Sequence, residues 1–276
     1  MQRVVMHIDM NAFYASVAQH LDPSLRGKAV AVAGDPKKRN GIILAKSRPA
    51  KAAGVKTGCA IWEAKRVCPE LIIVPPDYAA YKRYSRLARL IYYDYTDLVE
   101  PFGLDESWID LTGSLALFGG DAMKVAREIS ERVKDELGLT VSIGISWNKI
   151  FAKLGSDTDP GDGIVAIAED EYQETAWKMP VEDMIYVGPA TAKKLHSAGY
   201  QTIGDLANAG DYFLEHRFGK VGFYLRAFAN GIDLTPVRVM DYEKADVEYD
   251  VKGVGNGLTA PHDLECEADA KALVWL

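Results

Sequence analysis

Cysteine is scarce, with only Cys59, Cys68 and Cys266 among 276 residues. An odd count with no metal-ligand spacing argues against a disulfide framework or a zinc site and favours a reducing cytoplasm. No apolar run reaches the ~18 residues of a membrane span. The N-terminal apolar stretch stops at Asp9, too short for a signal-peptide core. Internal repeats and low-complexity tracts are missing as well. What remains is 48% apolar and 26% charged, an ordinary globular composition that excludes a disordered or collagen-like chain. The length predicts roughly two domains.

A net charge of −7 argues against a nucleic-acid binder until it is divided along the chain. Residues 241–276 carry nine acids against three lysines, so the tail alone accounts for −6. Residues 26–66 hold eleven basic residues opposed only by Asp35 and Glu63. A field of that sign suits a polyphosphate or a nucleic-acid backbone, and equally a solvated basic face.

Periodicity predicts a buried strand over 3–9, with His7 as a polar edge residue, and a helix over 11–21 capped by Asn11. Short strands follow at 29–33, 41–45 and 71–74, then a long aromatic helix over 78–95. A hairpin is expected from strands 99–102 and 107–111, then a helix 121–137, a strand 140–146, a helix 148–157 and a strand 163–167. Alternating elements of this kind predict an α+β or α/β layer around one sheet. From about residue 180 the strand pattern gives way to a small all-helical module over 181–232. An acidic linker follows, then a strand-like stretch at 251–258 and a helix from 265.

Two places set carboxylates on apolar strands. Asp9 ends Val4-Val5-Met6-His7-Ile8, and Asp105-Glu106 lie between Phe102-Gly103-Leu104 and Trp108-Ile109. Ionised carboxylates there are costly to desolvate unless a charge compensates them, and a divalent cation does so through an oxygen cage. Two such cations can clamp the oxygens of a phosphoryl transfer. Otherwise Asp9 caps the next helix and Asp105-Glu106 form a polar turn. Neighbouring strand residues point to opposite faces, so a shared site needs a bend, which Gly103 permits.

Three segments then carry a resemblance. His7-Ile8-Asp9-Met10-Asn11-Ala12-Phe13-Tyr14-Ala15-Ser16-Val17 resembles the opening motif of the Y-family (translesion) DNA polymerases, with their bacterial polymerase IV branch nearest. Segment 102–110 resembles their second catalytic motif and segment 142–153 their third, in family order and at family-like spacing. The likeness runs from residue 1 to about 259. It implies an α+β fold: a palm sheet with helices (1–25 and 77–167), small α/β fingers (26–76), an all-helical thumb with a helix-hairpin-helix (168–235), and a linker with the start of an incomplete C-terminal domain (236–276).

The resemblance further implies roles. Asp9, Asp105 and Glu106, with the Met10 carbonyl, would hold two Mg²⁺ ions, Mn²⁺ being the alternative. A primer 3′-hydroxyl would attack the α-phosphate of a dNTP, breaking its bond to the β-phosphate and releasing pyrophosphate. Tyr14 matches the steric gate against a 2′-hydroxyl, and Phe13 either packs beside the nucleotide or is helix core. Lys46, Arg48 and Lys51 fall in the triphosphate-binding fingers segment, where Arg48 replaces the usual Tyr and Lys51 the usual Arg. No Lys stands in 156–163, where the family has a triphosphate-binding one, so a raised dNTP KM is expected. Lys149 and Lys153 are read as phosphate contacts, and Gly188, Ala190, Lys193 and Lys194 as the thumb's grip on duplex backbone. The expected partners are primer–template DNA and dNTP, for a cytoplasmic monomer outside any membrane. No clamp-binding peptide is visible, though a longer form can carry one, and the ending at 276 reads as a truncation. Two rival readings remain: a non-catalytic DNA-binding protein of polymerase ancestry, and a phosphohydrolase with Asp9 as nucleophile, whose pattern Asn11 breaks.

Overall fold

The computed structural model describes residues 3–35, 41–158, 163–239, 253, 255, 260 and 263–274. In chain order the elements are β1 (Val5–Met10), α1 (Phe13–Leu21), β2 (Val30–Ala33), β3 (Ile43–Lys46), α2 (Arg48–Ala52), α3 (Ile61–Val67), β4 (Ile72–Val74) and α4 (Tyr78–Tyr93). They continue with β5 (Val99–Phe102), β6 (Glu106–Asp110), α5 (Ala122–Leu137), β7 (Val141–Ser146), α6 (Lys149–Thr158) and β8 (Ile164–Ala166). Helices α7 (Pro189–Ser197), α8 (Ile203–Ala207), α9 (Asp211–Phe218), α10 (Lys220–Ala229) and α11 (Glu267–Val274) complete the series. No described helix is long and apolar enough to cross a membrane.

The chain divides into two compact units, Met1–Asn11 with Lys82–Val247, and Ala12–Tyr81 with Glu248–Leu276. The segment expected as the first part of the palm (1–25) is divided between the two units, and the expected thumb (168–235) lies within the first. In that first unit a five-stranded sheet runs β5-β6-β1-β7-β8, antiparallel except for β7 beside β8. β1 is thus the central strand, which is why it is buried along almost its whole length. His7 is fully buried there, not at an edge.

Strand parity sorts the two faces. Met6, Ile8 and Met10 pair with Ile145, Ile143 and Val141 on one face. Helix α5 packs on β7 and β8, burying Val125, Ile129, Val133 and Leu137 at helical spacing. On the other face Gly144 lets α6 lie directly on the sheet. A Cβ on that glycine would overlap the Ala152 carbonyl and come 2.5 Å from Ser156 N. Helix α6 is covered on both sides, since Ile150, Phe151 and Leu154 join Leu195, Ile203, Leu206, Leu214 and Leu225 in the core of the helical module. Each such side chain stabilises by about 1.5–3 kcal/mol on burial.

After α10 the chain returns to the sheet. Val237 packs with Val5, Trp108 and Ala152, and Arg3 reaches Asp110 and the Thr235 carbonyl. The first part of the expected linker is therefore packed. The expected strand at 251–258 lies outside the described residues except for Gly253 and Gly255.

In the second unit β3-β2-β4 form a small sheet, with α1 packed on β2 and β3. Asn11 does not cap α1. Ala12 takes the N-cap position in a left-handed conformation, φ 47°, while Asn11 bonds to Thr140 and accepts from Ser142 Oγ.

Candidate active site

Register brings the carboxylates together. Asp9, last but one in β1, pairs directly with Glu106, the first residue of β6, and a cross-strand pair shares a face. Asp105 lies in the turn between β5 and β6, which Gly103 opens with φ 87°. Its carbonyl accepts from Met10 N at 3.0 Å, tying that turn to the end of β1. The bend expected at Gly103 is the device that frees Asp105 from strand alternation.

The three acids differ in state. Burial, reinforced by the charges of Glu106 and Asp105, pushes the Asp9 carboxyl up to about 7. Burial and Glu106 also raise Asp105. Burial pushes Glu106 upward too, but hydrogen bonds from His7 and Lys153 outweigh it and hold this carboxyl below its usual range. Glu106 Oε2 lies 2.8 Å from Lys153 Nζ and 3.1 Å from His7 Nε2. Burial in turn pushes His7 down, keeping the ring neutral.

Among the described residues no three His, Cys, Asp or Glu side chains converge as a ready metal cage. Glu106 is turned onto His7 and Lys153 instead. The donor set nevertheless suits a hard cation: two half-buried carboxyls raised by burial, a third held as an anion, and one lysine against three acids.

Helix α6 supplies the positive side. The Asn148 side chain caps it, accepting from Phe151 N at 2.8 Å, and donates to the Gly231 carbonyl. Lys149 and Lys153 do share a face, as their spacing requires, but both ammonium groups are bound to carboxylates. Lys149 Nζ lies 2.8 Å from both oxygens of Glu100 and 4.3 Å above the Trp108 ring. Lys149, expected as a phosphate contact, here has its ammonium bound to Glu100. Lys153 serves Glu106 and, at 3.3 Å, Asp157.

In the second unit Phe13 is buried, whereas Tyr14 is half-exposed and stacks on Tyr81 with centroids 4.0 Å apart. Ser47 caps α2, leaving Arg48 and Lys51 exposed on it, while Lys46 Nζ donates to Thr57. Lys37, Lys38, Arg39, Asp159 and Asp162 lie outside the described residues.

In the helical module Gly188 is the N-cap of α7, preceded by Tyr186 at φ 72°. Ala190, Lys193 and Lys194 are exposed along its first turns. The element before Gly188 is a single 3-10 turn, Val181–Asp183.

Comparison with known proteins identifies this arrangement. The sequence matches the impB/mucB/samB family over residues 8–157, more than half the chain. The chain belongs to the Y-family of DNA polymerases. It is 49% identical to DNA polymerase IV of Acetivibrio thermocellus over the whole of this chain and 68% of that protein. It is 44% identical to DNA polymerase IV 1 of Bacillus subtilis over 97% of this chain and 63% of that one. It therefore spans about two thirds of the length of these relatives. Among solved structures, DinB from Sulfolobus solfataricus superposes with a TM-score of 0.78 at 26% identity, covering 86% of this chain and 69% of that one. The insertion ternary complex of Dbh DNA polymerase gives 0.78 at 25%, covering 85% and 69%.

As a Y-family chain, the protein has the carboxylates of its first two motifs within one unit, at adjoining ends of β1 and the β5–β6 turn. Residue-level reading missed three neighbours: His7, Ser156 and Glu100. His7 shares strand parity with Asp9 and was legible on that ground. Ser156 and Glu100 are joined to the site only by pairings far apart in sequence.

Proposed function

We propose that the chain is a template-directed DNA polymerase that adds dNMP from dNTP to a primer 3′-hydroxyl, in low-fidelity translesion synthesis during DNA repair. The observation that carries the reading is the set Asp9, Asp105 and Glu106, gathered at one end of the central strand of a chain whose relatives are DNA polymerases IV. These three side chains with the Met10 carbonyl would hold two Mg²⁺ ions, or Mn²⁺ in their place. Held there, such ions would supply positive charge for the α-phosphate and make the primer hydroxyl easier to deprotonate. The protein's own part is positioning and electrostatics.

Tyr14 stands as the steric gate and Phe13, being buried, as the support beneath it. Lys46, Arg48 and Lys51 supply charge for the triphosphate. Lys keeps the charge of the usual Arg but not its two-pronged geometry. Gly188, Ala190, Lys193 and Lys194 grip duplex backbone through exposed N–H groups and ammonium charge, without reading sequence. Primer–template DNA and dNTP are the partners this chemistry requires, and the cytoplasm is where they meet.

Primer extension on an undamaged template with Mg²⁺ and each dNTP, beside the Asp105→Ala/Glu106→Ala double variant, tests the proposal. Extension by the parent and none by the variant is expected. Duplex binding without extension at any dNTP concentration would favour the second reading, a non-catalytic DNA-binding protein. The absence of any Lys from residues 156–163 favours that alternative.

A further inference from the structure

His7 and Ser156 are buried polar side chains for which the proposed chemistry has no direct use. They form a chain ending on Glu106: His7 Nε2 lies 3.1 Å from Glu106 Oε2, and His7 Nδ1 lies 2.7 Å from Ser156 Oγ. We propose that His7 is a positioning residue that aims Glu106 and that Ser156 holds the His7 ring in place. The inference rests on the cation site of Asp9, Asp105 and Glu106 proposed above.

The proton assignment follows from hydrogen-bonding capacity. Glu106 Oε2 already accepts from Lys153 Nζ, and as a carboxylate oxygen it takes an N–H from His7 as well. That N–H must therefore sit on Nε2, facing Glu106. Nδ1 faces the Ser156 hydroxyl, which gives the ring its second tether. Ser156 Oγ also lies 2.8 Å from the Lys153 carbonyl, a competing acceptor one turn back along α6. Removing the hydroxyl takes that second tether away and leaves the ring free to swing off the carboxylate.

The geometry also selects which oxygen of Glu106 remains available. Lys153 and His7 both hold Oε2, and Oε1 has no hydrogen bond among the described residues. Helix α6 fixes both holders, Lys153 directly and His7 through Ser156. Its depth on the sheet is in turn set by Gly144, the β7 partner of His7. Glu106 thus reaches the cation site with one oxygen tethered and one presented. Outer partners of metal-binding groups commonly control affinity by tenfold or more.

Two readouts test the proposal on the full chain. Nitrogen-15 NMR of the metal-free protein is expected to find a proton on Nε2 of His7, and Ser156→Ala is expected to move the His7 ring resonances as the ring loosens. Titration with Mn²⁺ alone, followed by electron paramagnetic resonance, is expected to give a dissociation constant about tenfold higher in His7→Leu. His7→Gln, whose amide can donate to Glu106, is expected to recover part of that loss. Should His7→Leu fail to fold, Ser156→Ala carries the titration, with weaker Mn²⁺ binding expected. An Nδ1–H tautomer in the parent overturns the proposal, as does Mn²⁺ affinity unchanged in the folded variant tested. A parent that binds no Mn²⁺ overturns the cation site itself, and the positioning role with it.

Discussion

Gly144 sets the distance between α6 and the sheet, and hence the height at which Lys153 and Ser156 meet the acids. Its missing side chain is a steric requirement. A Cβ there meets backbone atoms of α6, which cannot rotate out of the way. Gly103 is required for a different reason. Its φ of 87° is strained for any other residue, but the space around it is open apart from Asp105 Oδ1 at 3.6 Å. The two substitutions therefore separate overlap from strain. Gly144→Ala is expected to lower stability by about 3 kcal/mol or more, since the helix must lift. Gly103→Ala is expected to cost about 1 kcal/mol through its backbone alone. Urea unfolding of both variants checks the order, and equal losses would refute the close approach of α6 to β7.

At the scale of elements, short helices depend on their ends. α8 has five residues, too few to be stable by propagation, so its capping box matters. Thr202 Oγ1 accepts from Asp205 N at 3.0 Å, and Asp205 Oδ2 accepts from the backbone N–H of Thr202 and of Gln201 at 2.9 Å. Those backbone bonds hold the Asp205 carboxyl below its usual range. A carboxyl depressed in the folded state stabilises above its unfolded pKa, and that contribution is lost as pH falls through the folded value. Thr202→Ala is expected to cost about 1 kcal/mol at neutral pH. The destabilisation by Asp205→Asn, measured by thermal unfolding, is expected to shrink as pH falls below the ordinary Asp value of about 3.9 towards the depressed folded one. This cap was legible in the sequence because Thr202 and Asp205 are three residues apart. The expected cap at Asn11 failed because the chain turns at Ala12 and spends the Asn11 side chain on Thr140 and Ser142, about 130 residues away. Most strands and helices were readable to within two residues, since period and punctuation are local. The carboxylate trio was legible through its ordered motifs. The Glu100–Lys149 pair and the Ser156–His7 bond were not, because only the stacking of α6 on β1 and β6 creates them.

Over the whole molecule, net charge says little about a polyanion partner, because 241–276 accounts for nearly all of it. What matters is which cations remain free once internal pairs are made. Lys149 and Lys153 have the sequence spacing of phosphate contacts yet are neutralised by Glu100 and Glu106. Lys193 and Lys194 stand exposed on α7 beside its N-terminus, with no carboxylate in salt-bridge range among the described residues. The two pairs should therefore behave differently against duplex DNA. Every ammonium that neutralises a phosphate adds about 0.9 to the steepness with which log affinity falls against log salt. Lys193→Gln/Lys194→Gln is expected to lower that slope by roughly 1 to 2 and to weaken binding equally on unrelated sequences. Lys149→Gln is expected to leave the slope unchanged, because its ammonium is already bound to Glu100. Fluorescence anisotropy of a labelled primer–template across a salt series measures both. A slope that falls with Lys149 and not with Lys193 and Lys194 would move the backbone grip from the helical module to α6. It would also mean that the Glu100–Lys149 pair opens when DNA arrives.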